Sequence, residues 1–389
     1  MPVKPSQIRD ILNAKRHDFT DFNKTALKDL SQYRQMWVQA ARQSDMEWTR
    51  LLAAHPIDLG ARPLEPLSQA ENGVLSANLT WPSREQSLAW VRDRLTGVAT
   101  FAVDGSQIFP SKDLSIPIAL VQIGWFENLH LPTGNYEKDI RVDVMTPADL
   151  KANSSGEPVD RRVNIRRFEM ETQRLVEYMQ AHAHSENCLV FFDGSLIATF
   201  AEAFDVESRQ AYVKSLLALL RASEATQVPL VGYVDTSYAR DLTVMLQQLF
   251  DLQEAKSVHD AQLLNQFMPW GDRIPLFRCQ RSGILQDYQE QKDQITFTYL
   301  KTNREGYPAR LEMPLWVYQT GKLNSIIDWV RGEVIIGGGY PYVIETADQT
   351  AVLQASDRQM FYRLLQDWAE QEGLNLRFSR KMVSKVRRR

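Results

Sequence analysis

The chain has 389 residues, 44% of them hydrophobic and 24% charged, and its formal net charge is −3 at pH 7. A chain of this length can bury the core of one large domain or of two ordinary ones. The net charge excludes a protein that binds nucleic acid by bulk positive charge, although a local basic groove stays possible. The only two cysteines, Cys188 and Cys279, cannot form a disulfide framework or, by themselves, a zinc site.

The start of the chain, MPVKPSQIRD, lacks the apolar core of a signal peptide. No stretch of the sequence reaches the roughly 18 uncharged apolar residues that a membrane-spanning helix needs. The small number of thiols is typical of a reducing compartment. We therefore expect a cytoplasmic protein with no membrane partner.

The first ninety residues predict a helical arm followed by a connector. Leucines, tyrosines and tryptophans recur at helical intervals over residues 6–55, with charged residues between them. Residues 56–85 contain several prolines and are predicted as a connector, and a capped helix starts at Ser83. We expect the arm, residues 1–90 with its connector, to serve packing or the pairing of two subunits.

The middle of the chain predicts a mixed α/β sheet. Three apolar runs at hairpin spacing predict an antiparallel meander. An amphipathic helix follows, and after it strands alternate with helices. The order β-β-β-α-β-α-β-α is that of a ribonuclease-H-like core, a mixed sheet flanked by helices. The three meander runs lie at 98–107, 115–129 and 139–146, and the later elements at 163–182, 187–196, 205–223, 228–235 and 237–250.

The last third of the sequence predicts two more strands, two helices and a loop. The strands are expected near 294–302 and 311–319, the helices at 322–332 and 356–373, and a glycine- and proline-broken loop at 337–350. The main domain is therefore predicted to span residues 91–375. A basic tail, 376–389, follows it, and this tail is either a solvated terminus or a contact for a phosphate backbone.

The tripeptide Asp-Gly-Ser occurs twice, at 104–106 and at 193–195, each time after an apolar run. We expect Asp104 and Asp193 to stand at strand ends, at the edge of the sheet where α/β sites gather. The following glycines would allow a sharp turn and leave room for a substrate backbone. One copy alone would favour an ordinary turn, but two copies that flank one helix favour a site.

A third acid lies on the predicted helix 163–182. Glu171 precedes Leu175 by one turn and therefore borders the apolar stripe, whereas Glu169 is the alternative if the register differs. An acid beside a buried face is costly unless it is paired or bound to metal, although a surface position for Glu171 stays open. Three carboxylates without histidine or thiol suit Mg²⁺ or Mn²⁺, which can activate water and stabilise the leaving oxygen of a phosphodiester.

Other chemistries find little support in the sequence. A Walker A loop and a G-x-S-x-G elbow are both absent. His182 and His184, two residues apart at a helix end, do not face each other and do not form a metal clip. The glycine-rich GGGYP, 337–341, lacks the lysine and the following helix of a phosphate cradle.

In chain order, the segments FAVDGSQ, RRFEMETQRL, VFFDGSL, VGYVD, VHDAQLL and GYPYVIETADQTAVLQASDR resemble the NurA-type nucleases over roughly residues 95–372. The resemblance implies a ribonuclease-H-like fold and Mn²⁺-dependent (or Mg²⁺-dependent) cleavage of single- and double-stranded DNA. It also implies 5′→3′ exonuclease and single-strand endonuclease activity in end resection for repair. The implied assembly is a homodimer on a hexameric HerA-type ATPase, and residues 91–375 would be the nuclease domain.

Carried over by position, the resemblance makes Asp104, Glu171 and Asp193 metal ligands and Tyr340 the active-site tyrosine. The family often has Ala-His where this chain has Ala347-Asp348. Asp348 could be a fourth metal ligand, or it could mark an altered site.

A second departure from the family is Asp235 in VGYVD, where lysine would be common. Its alternative interpretation is the N-cap of a helix that starts near Ser237. Other side chains near the expected cleft are candidates for DNA contacts. The aromatic candidates for base stacking are Phe109, Trp125, Tyr233, Tyr238 and Tyr340, and the phosphate candidates are Arg161, Arg162, Arg166, Arg167 and Arg240.

Three hypotheses follow for the function. The leading one is a metal-dependent DNA nuclease, with its cations concentrated inside a dimer channel. The second is a non-catalytic ribonuclease-H-like DNA clamp or adaptor for a ring ATPase, which the departures at Asp235 and Asp348 motivate. The third is a hydrolase of phosphorylated small molecules that uses the same carboxylates.

Overall fold

The structure is a computed structural model that describes residues 4–55, 58–151 and 158–377. The cationic residues of the predicted tail, 380–389, lie outside these ranges. Within them, no helix has the length and the apolar character that crossing a lipid bilayer requires. The chain divides into a first unit, Met1–Leu79, Asp235–Ser282 and Thr296–Leu311, and a second unit, Thr80–Val234, Gly283–Ile295 and Glu312–Arg389.

The strands and helices of the described residues are numbered here in chain order. The strands are β1 (Gly60–Pro63), β2 (Ala99–Ile108), β3 (Ala119–Asn128), β4 (Tyr136–Met145), β5 (Cys188–Asp193), β6 (Leu230–Val234), β7 (Phe277–Gln280), β8 (Ile295–Leu300) and β9 (Ala309–Pro314). The helices are α1 (Pro5–Ala14), α2 (Arg16–Ala41), α3 (Asp45–Ala54), α4 (Arg84–Leu95), α5 (Val159–Ala181), α6 (Val206–Thr226), α7 (Asp241–Leu249), α8 (Asp260–Leu264), α9 (Leu315–Gln319), α10 (Leu323–Ile336), α11 (Tyr342–Ala351) and α12 (Ala355–Gln371).

The first unit contains the predicted helical arm, which folds as α1, α2 and α3. The amphipathic stripe of α2 buries Tyr33 and Trp37, and the Trp37 ring packs against Phe277 of β7 at a centroid distance of 6.3 Å. The indole nitrogen of Trp37 donates to the carbonyl of Asn72 over 2.9 Å, so this large side chain leaves no polar group unpaired. In the same unit, β7 pairs antiparallel with β1 and with β8.

Helix α7 of the first unit begins later than the sequence predicts. It starts at Asp241 rather than near Ser237, and Asp235 is therefore not its N-cap. The reason is a long-range interaction: the buried carboxylate of Asp260 accepts the backbone N–H groups of Leu242 and Thr243 over 3.1 and 2.9 Å. These first-turn donors need an acceptor, and Asp260 supplies it from a distant segment.

The second unit confirms the predicted ribonuclease-H-like mixed sheet. Its strand order is β4-β3-β2-β5-β6, in which the meander β2, β3 and β4 is antiparallel while β5 lies parallel to both β2 and β6. β5 and the first half of β2, up to Val103, are largely apolar because helices cover both of their faces. Helices α5 and α11 both pack on β2.

Two elements in the last third of the chain differ from the prediction. The strand expected at 311–319 ends at Pro314, where α9 begins. The loop expected at 337–350 contains a helix, α11, which starts directly after Pro341. Proline fixes the φ angle for a helix start, and the buried Glu333 carboxylate accepts the N–H of Val343 over 3.0 Å, so the first turn of α11 is stabilised despite the glycines before it.

Candidate active site

The two Asp-Gly-Ser copies lie side by side on neighbouring parallel strands. Val103 of β2 pairs with Phe192 of β5, so Asp104 and Asp193 are the next residues along adjacent strands. The second copy agrees with its prediction, since β5 ends at Asp193 and Gly194 has a φ of +144°. The first copy does not: β2 continues to Ile108 because β3 pairs with it along its whole length, and Asp104 therefore lies inside the strand.

Gly105 serves a close approach rather than a turn. A Cβ built on Gly105 would lie 2.6 Å from Cγ of Arg167 and closer still to the carboxylate of Glu171. Glu171, on α5, is only 8% exposed. The missing side chain of Gly105 thus gives Glu171 the space to reach β2, and the expectation of a turn at this glycine is wrong.

A second glycine opens the other face of the strand pair. Gly124 of β3 lies directly opposite Asp104, and a Cβ at Gly124 would be 2.6 Å from the backbone nitrogen of Ala351 in α11. Helix α11 therefore lies flat on the strands, and the side chain of Asp348 is within hydrogen-bonding distance of Asp104. Because neighbouring residues of a strand point to opposite faces, Glu171 and Asp348 approach β2 from opposite sides.

The charges of these carboxylates act on one another. Burial raises the pKa of Asp104 to about 6, with contributions from the Asp348 hydrogen bond and from the charges of Asp193 and Asp348. Burial also raises the pKa of Glu171 to about 8; Arg167 opposes this shift, whereas Asp104 and Asp193 add to it. Asp104 and Glu171 are thus carboxyl groups whose ionised forms are disfavoured, and a bound cation would stabilise those forms.

The donor set of this cluster fits a hard divalent cation. All four groups are carboxylates, which Mg²⁺ and Mn²⁺ prefer, and Oε1 of Glu171 is buried without a hydrogen-bond donor, 3.4 Å from Nε of Arg167. Across the described ranges, however, no three acids, histidines or cysteines already stand in the arrangement of a metal site. Asp193 and Asp348 are exposed, whereas Glu171 is buried.

Tyr340 lies beside the cluster. Its hydroxyl donates to Oδ1 of Asp193 over 3.0 Å, and its ring packs edge-on against Tyr233 at 5.2 Å. Tyr233 is fully buried, so it fixes the position of the Tyr340 ring. Tyr340 is thus placed to orient Asp193, the exposed carboxylate at the end of β5.

Several other candidates for DNA contacts are either buried or already paired with other groups of the protein. Tyr233 and Trp125 are buried core residues, which removes them as stacking platforms. The alternative acid Glu169 lies 3.8 Å from Arg166 and is not part of the cluster. The cationic candidates already have partners: Arg161 pairs with Asp205, Arg162 with the carbonyl of Asp149, Arg166 with Asp143, Arg167 with Glu171 and Arg240 with Glu254.

Two buried glutamates that hold the site in place were not identified from the sequence. Glu312 accepts the hydroxyl of Ser195 over 2.9 Å and the N–H of Leu196 over 2.7 Å, which fixes the second Asp-Gly-Ser turn. Glu333 accepts the hydroxyl of Thr100 over 2.7 Å and contacts Nε2 of His130 at 3.1 Å. The available signal was a single acid inside an apolar run, as in LEMPLW and GEVII.

The strand order of the second unit defines a protein of the ribonuclease-H-like fold class. The family model described as the NurA domain matches residues 98–353, which is more than half of the chain. The protein therefore belongs to the NurA family, a nuclease family, and the resemblance seen in the sequence is confirmed. No curated protein matches the chain in sequence.

Three solved structures illustrate what the fold is similar to. The catalytic domain of human endonuclease V is 14% identical with a TM-score of 0.34, covering 82% of this chain and 95% of that chain. Endonuclease V from Bacillus subtilis is 12% identical with a TM-score of 0.32, covering 75% and 98%. A NurA structure bound to dAMP and manganese is 9% identical with a TM-score of 0.33, covering 66% and 85%.

Proposed function

We propose that this protein is a divalent-metal-dependent deoxyribonuclease whose active site is formed by Asp104, Glu171, Asp193 and Asp348. The observation that carries the proposal is the cluster itself: four carboxylates from separate segments share one electrostatic environment. Glu171 in particular is buried, with one carboxylate oxygen that has no donor. Such an arrangement is costly for folding unless a cation uses it.

The proposed ligands for Mn²⁺ or Mg²⁺ are these four carboxylates. When bound, the ion would supply Lewis acidity and an activated water for hydrolysis of a phosphodiester. Asp104 and Glu171 are held in place by β2 and α5, whereas Tyr340 orients Asp193 through its hydroxyl. The hydrogen bond between the carboxyl groups of Asp104 and Asp348 needs a proton on one of them. Release of that proton would free the two oxygens that share it, one on each residue, to bind the ion.

Membership of the NurA family supports the finer proposals. The substrates are single- and double-stranded DNA, with 5′→3′ exonuclease and single-strand endonuclease activity in end resection for repair. The partners are a second copy of the chain and a HerA-type hexameric ATPase, in the cytoplasm. We further propose that residues 91–375 are the nuclease domain, with residues 1–90 as an arm and connector and 376–389 as a basic tail.

The test is cleavage of end-labelled single- and double-stranded DNA by chelator-treated protein, before and after Mn²⁺ is added. We expect Mn²⁺-dependent products from the 5′ end, and complete loss of cleavage in Asp104→Ala and in Asp193→Ala. Asp143→Ala is the matched control because its carboxylate lies on β4, paired with Arg166 and outside the cluster. Undiminished cleavage in both site variants would refute the proposed roles, and DNA binding without turnover would favour the clamp.

A further inference from the structure

An open cleft of about 620 Å³ runs along helix α2 in the first unit. Its walls are one face of α2 with the turn after it, and a short 3-10 turn, Asn265–Phe267. The side chains that matter most are two arginines, three glutamines and one phenylalanine. They are Arg34, Arg42, Gln35, Gln39, Gln43 and Phe267.

The lining forms two parallel rows along α2 and the turn that follows it. Arg34 and Arg42, the C-cap of α2, are eight residues apart on one row, and Gln35, Gln39 and Gln43 follow the adjacent row at intervals of four. At about 1.5 Å of rise per residue, the two arginines are separated by roughly 12 Å along the helix axis. Among the described residues that line the cleft, none carries a carboxylate, so its formal charge is positive.

The arginines of this cleft have no acidic partners among the described residues. Nη2 of Arg34 donates to the carbonyl of Gln262 over 3.1 Å, but its Nε is buried without a hydrogen-bond acceptor. In the part of the chain that the structure describes, neither Arg34 nor Arg42 forms an ion pair, whereas Arg273 of the same unit binds Glu65 through two hydrogen bonds. Their guanidinium groups therefore remain available to a ligand that brings its own anions.

Two aromatic rings accompany the arginines. Phe267 lines the cleft and is half-buried. Tyr307 is 47% exposed and close enough to Arg34 to interact with its charge. Exposed or half-exposed rings beside guanidinium groups are what unpaired bases stack on, whereas an acidic peptide would use the arginines and leave the rings unused.

We propose that this cleft binds the backbone phosphates of a single-stranded nucleic acid, with Arg34 and Arg42 each contacting a phosphate and Phe267 and Tyr307 stacking on bases. The proposal rests on the proposed function, to which it adds a strand-holding contact outside the carboxylate cluster. Glutamine side chains both donate and accept hydrogen bonds, so the second row can contact any base. The contact is therefore expected to be independent of sequence.

The test is the salt dependence of binding to a fluorescent dT20 oligonucleotide, measured by anisotropy in chelator so that no cleavage occurs. Each arginine–phosphate contact should contribute about 0.7 to the slope of log K against log salt for a single strand. The double variant Arg34→Gln/Arg42→Gln should lower that slope by about 1.4 and weaken binding roughly tenfold at low salt. The matched control is Arg16→Gln/Arg50→Gln, which removes the same charge from exposed positions of the same unit.

An unchanged slope in the double variant, or an equal decrease in the control, would overturn the proposal. Loss of poly-glutamate binding with unchanged dT20 binding would assign the cleft to an acidic protein segment instead. Displacement of dT20 by inorganic phosphate at an equal concentration of phosphate groups would overturn the proposal and identify the cleft as a site for free anions. Mn²⁺-dependent cleavage by the unmodified protein is measured separately, so its absence would reject the nuclease proposal without affecting the outcome for this cleft.

Discussion

Asp104 and Gly124 face each other across the antiparallel ladder between β2 and β3. Because Gly124 has no side chain, the backbone of α11 comes close enough for Asp348 to reach Asp104. On the opposite face of β2, Gly105 gives the same kind of access to Glu171. The carboxylate cluster therefore depends on the absence of two side chains as much as on the presence of four acids.

The first prediction concerns Gly105→Ala. The new methyl group would collide with Arg167 and Glu171, so we expect the free energy of unfolding to fall by about 1–3 kcal/mol. Mn²⁺-dependent cleavage per folded molecule should fall by at least about tenfold, because a displacement of the Glu171 carboxylate by about 1 Å is enough to slow the reaction strongly. Denaturant unfolding and single-turnover cleavage measure the two effects.

The control for Gly105→Ala is Gly97→Ala. Gly97 has a φ of +77°, but a Cβ there would meet no heavy atom within 4 Å. This change should lower the free energy of unfolding by about 1–2 kcal/mol, because alanine is strained at a positive φ, and it should leave cleavage unchanged. Normal cleavage by the Gly105 variant would show that Glu171 does not need the space.

The second prediction concerns Tyr340→Phe, which removes the 3.0 Å hydrogen bond to Asp193 while keeping the ring against Tyr233. Stability should change by no more than about 1 kcal/mol. Cleavage should fall roughly tenfold, with weaker Mn²⁺ activation, because Asp193 loses the group that orients it. Tyr342→Phe, two residues away and packed edge-on against Phe126, should behave like the unmodified protein, and equal losses in both variants would contradict an orienting role.

The third prediction concerns metal removal and Glu171. Mn²⁺ is expected to bind the folded state and not the unfolded chain. At a free Mn²⁺ concentration of about 100 times its Kd, the free energy of unfolding should therefore rise by about 2.7 kcal/mol, and a chelator should reverse this gain. Glu171→Gln should lose most of the gain. Without metal, this variant should be at least as stable as the unmodified protein, because it removes a buried carboxylate next to other acids.

Glu169→Gln is the matched control on the same helix, since Glu169 lies beside Arg166 instead of the cluster. It should keep the full stabilisation by Mn²⁺. The reverse pattern, with loss in Glu169→Gln and none in Glu171→Gln, would assign the helix ligand to Glu169.

The fourth prediction concerns pH and His130. Burial lowers the pKa of His130, but the Glu333 carboxylate and the hydrogen bond to the carbonyl of Val98 together outweigh burial, and the pKa is raised above 6.5. The folded state therefore prefers the protonated imidazole, so this pair contributes stability that is fully present below the unfolded pKa. That contribution is lost as the pH rises through the folded pKa.

His130→Gln should accordingly be less stable than the unmodified protein by about 1–3 kcal/mol near pH 5.5, and the difference should shrink by about pH 8.5. The measurement is thermal unfolding over that pH range. His184→Gln, at an exposed position, is the control and should show no such trend. A stability difference that grows with pH would contradict a raised pKa of His130 in the folded state.

The sequence predicts most of the architecture because the signals involved are local. Strand and helix order follow from hydrophobic periodicity. The position of Glu171 one turn before Leu175 predicts that it borders the buried face, with a surface position as the alternative, and the structure buries it. What the sequence cannot predict depends on partners far along the chain. Asp104 lies inside a strand because β3 extends the pairing of β2, and α7 starts where Asp260 accepts its first N–H groups. Likewise, α11 forms after GGGYP because Glu333 accepts the N–H of Val343.

Gly105 and Gly124 have a consequence for the interpretation of other members of the family. A homologue could keep every acid of the cluster and still be inactive if either glycine had become a larger residue. Such a protein would look like an intact enzyme in any inventory of acidic residues. Inspection of these two positions is therefore a simple screen for degenerate members that have kept the fold and lost the reaction.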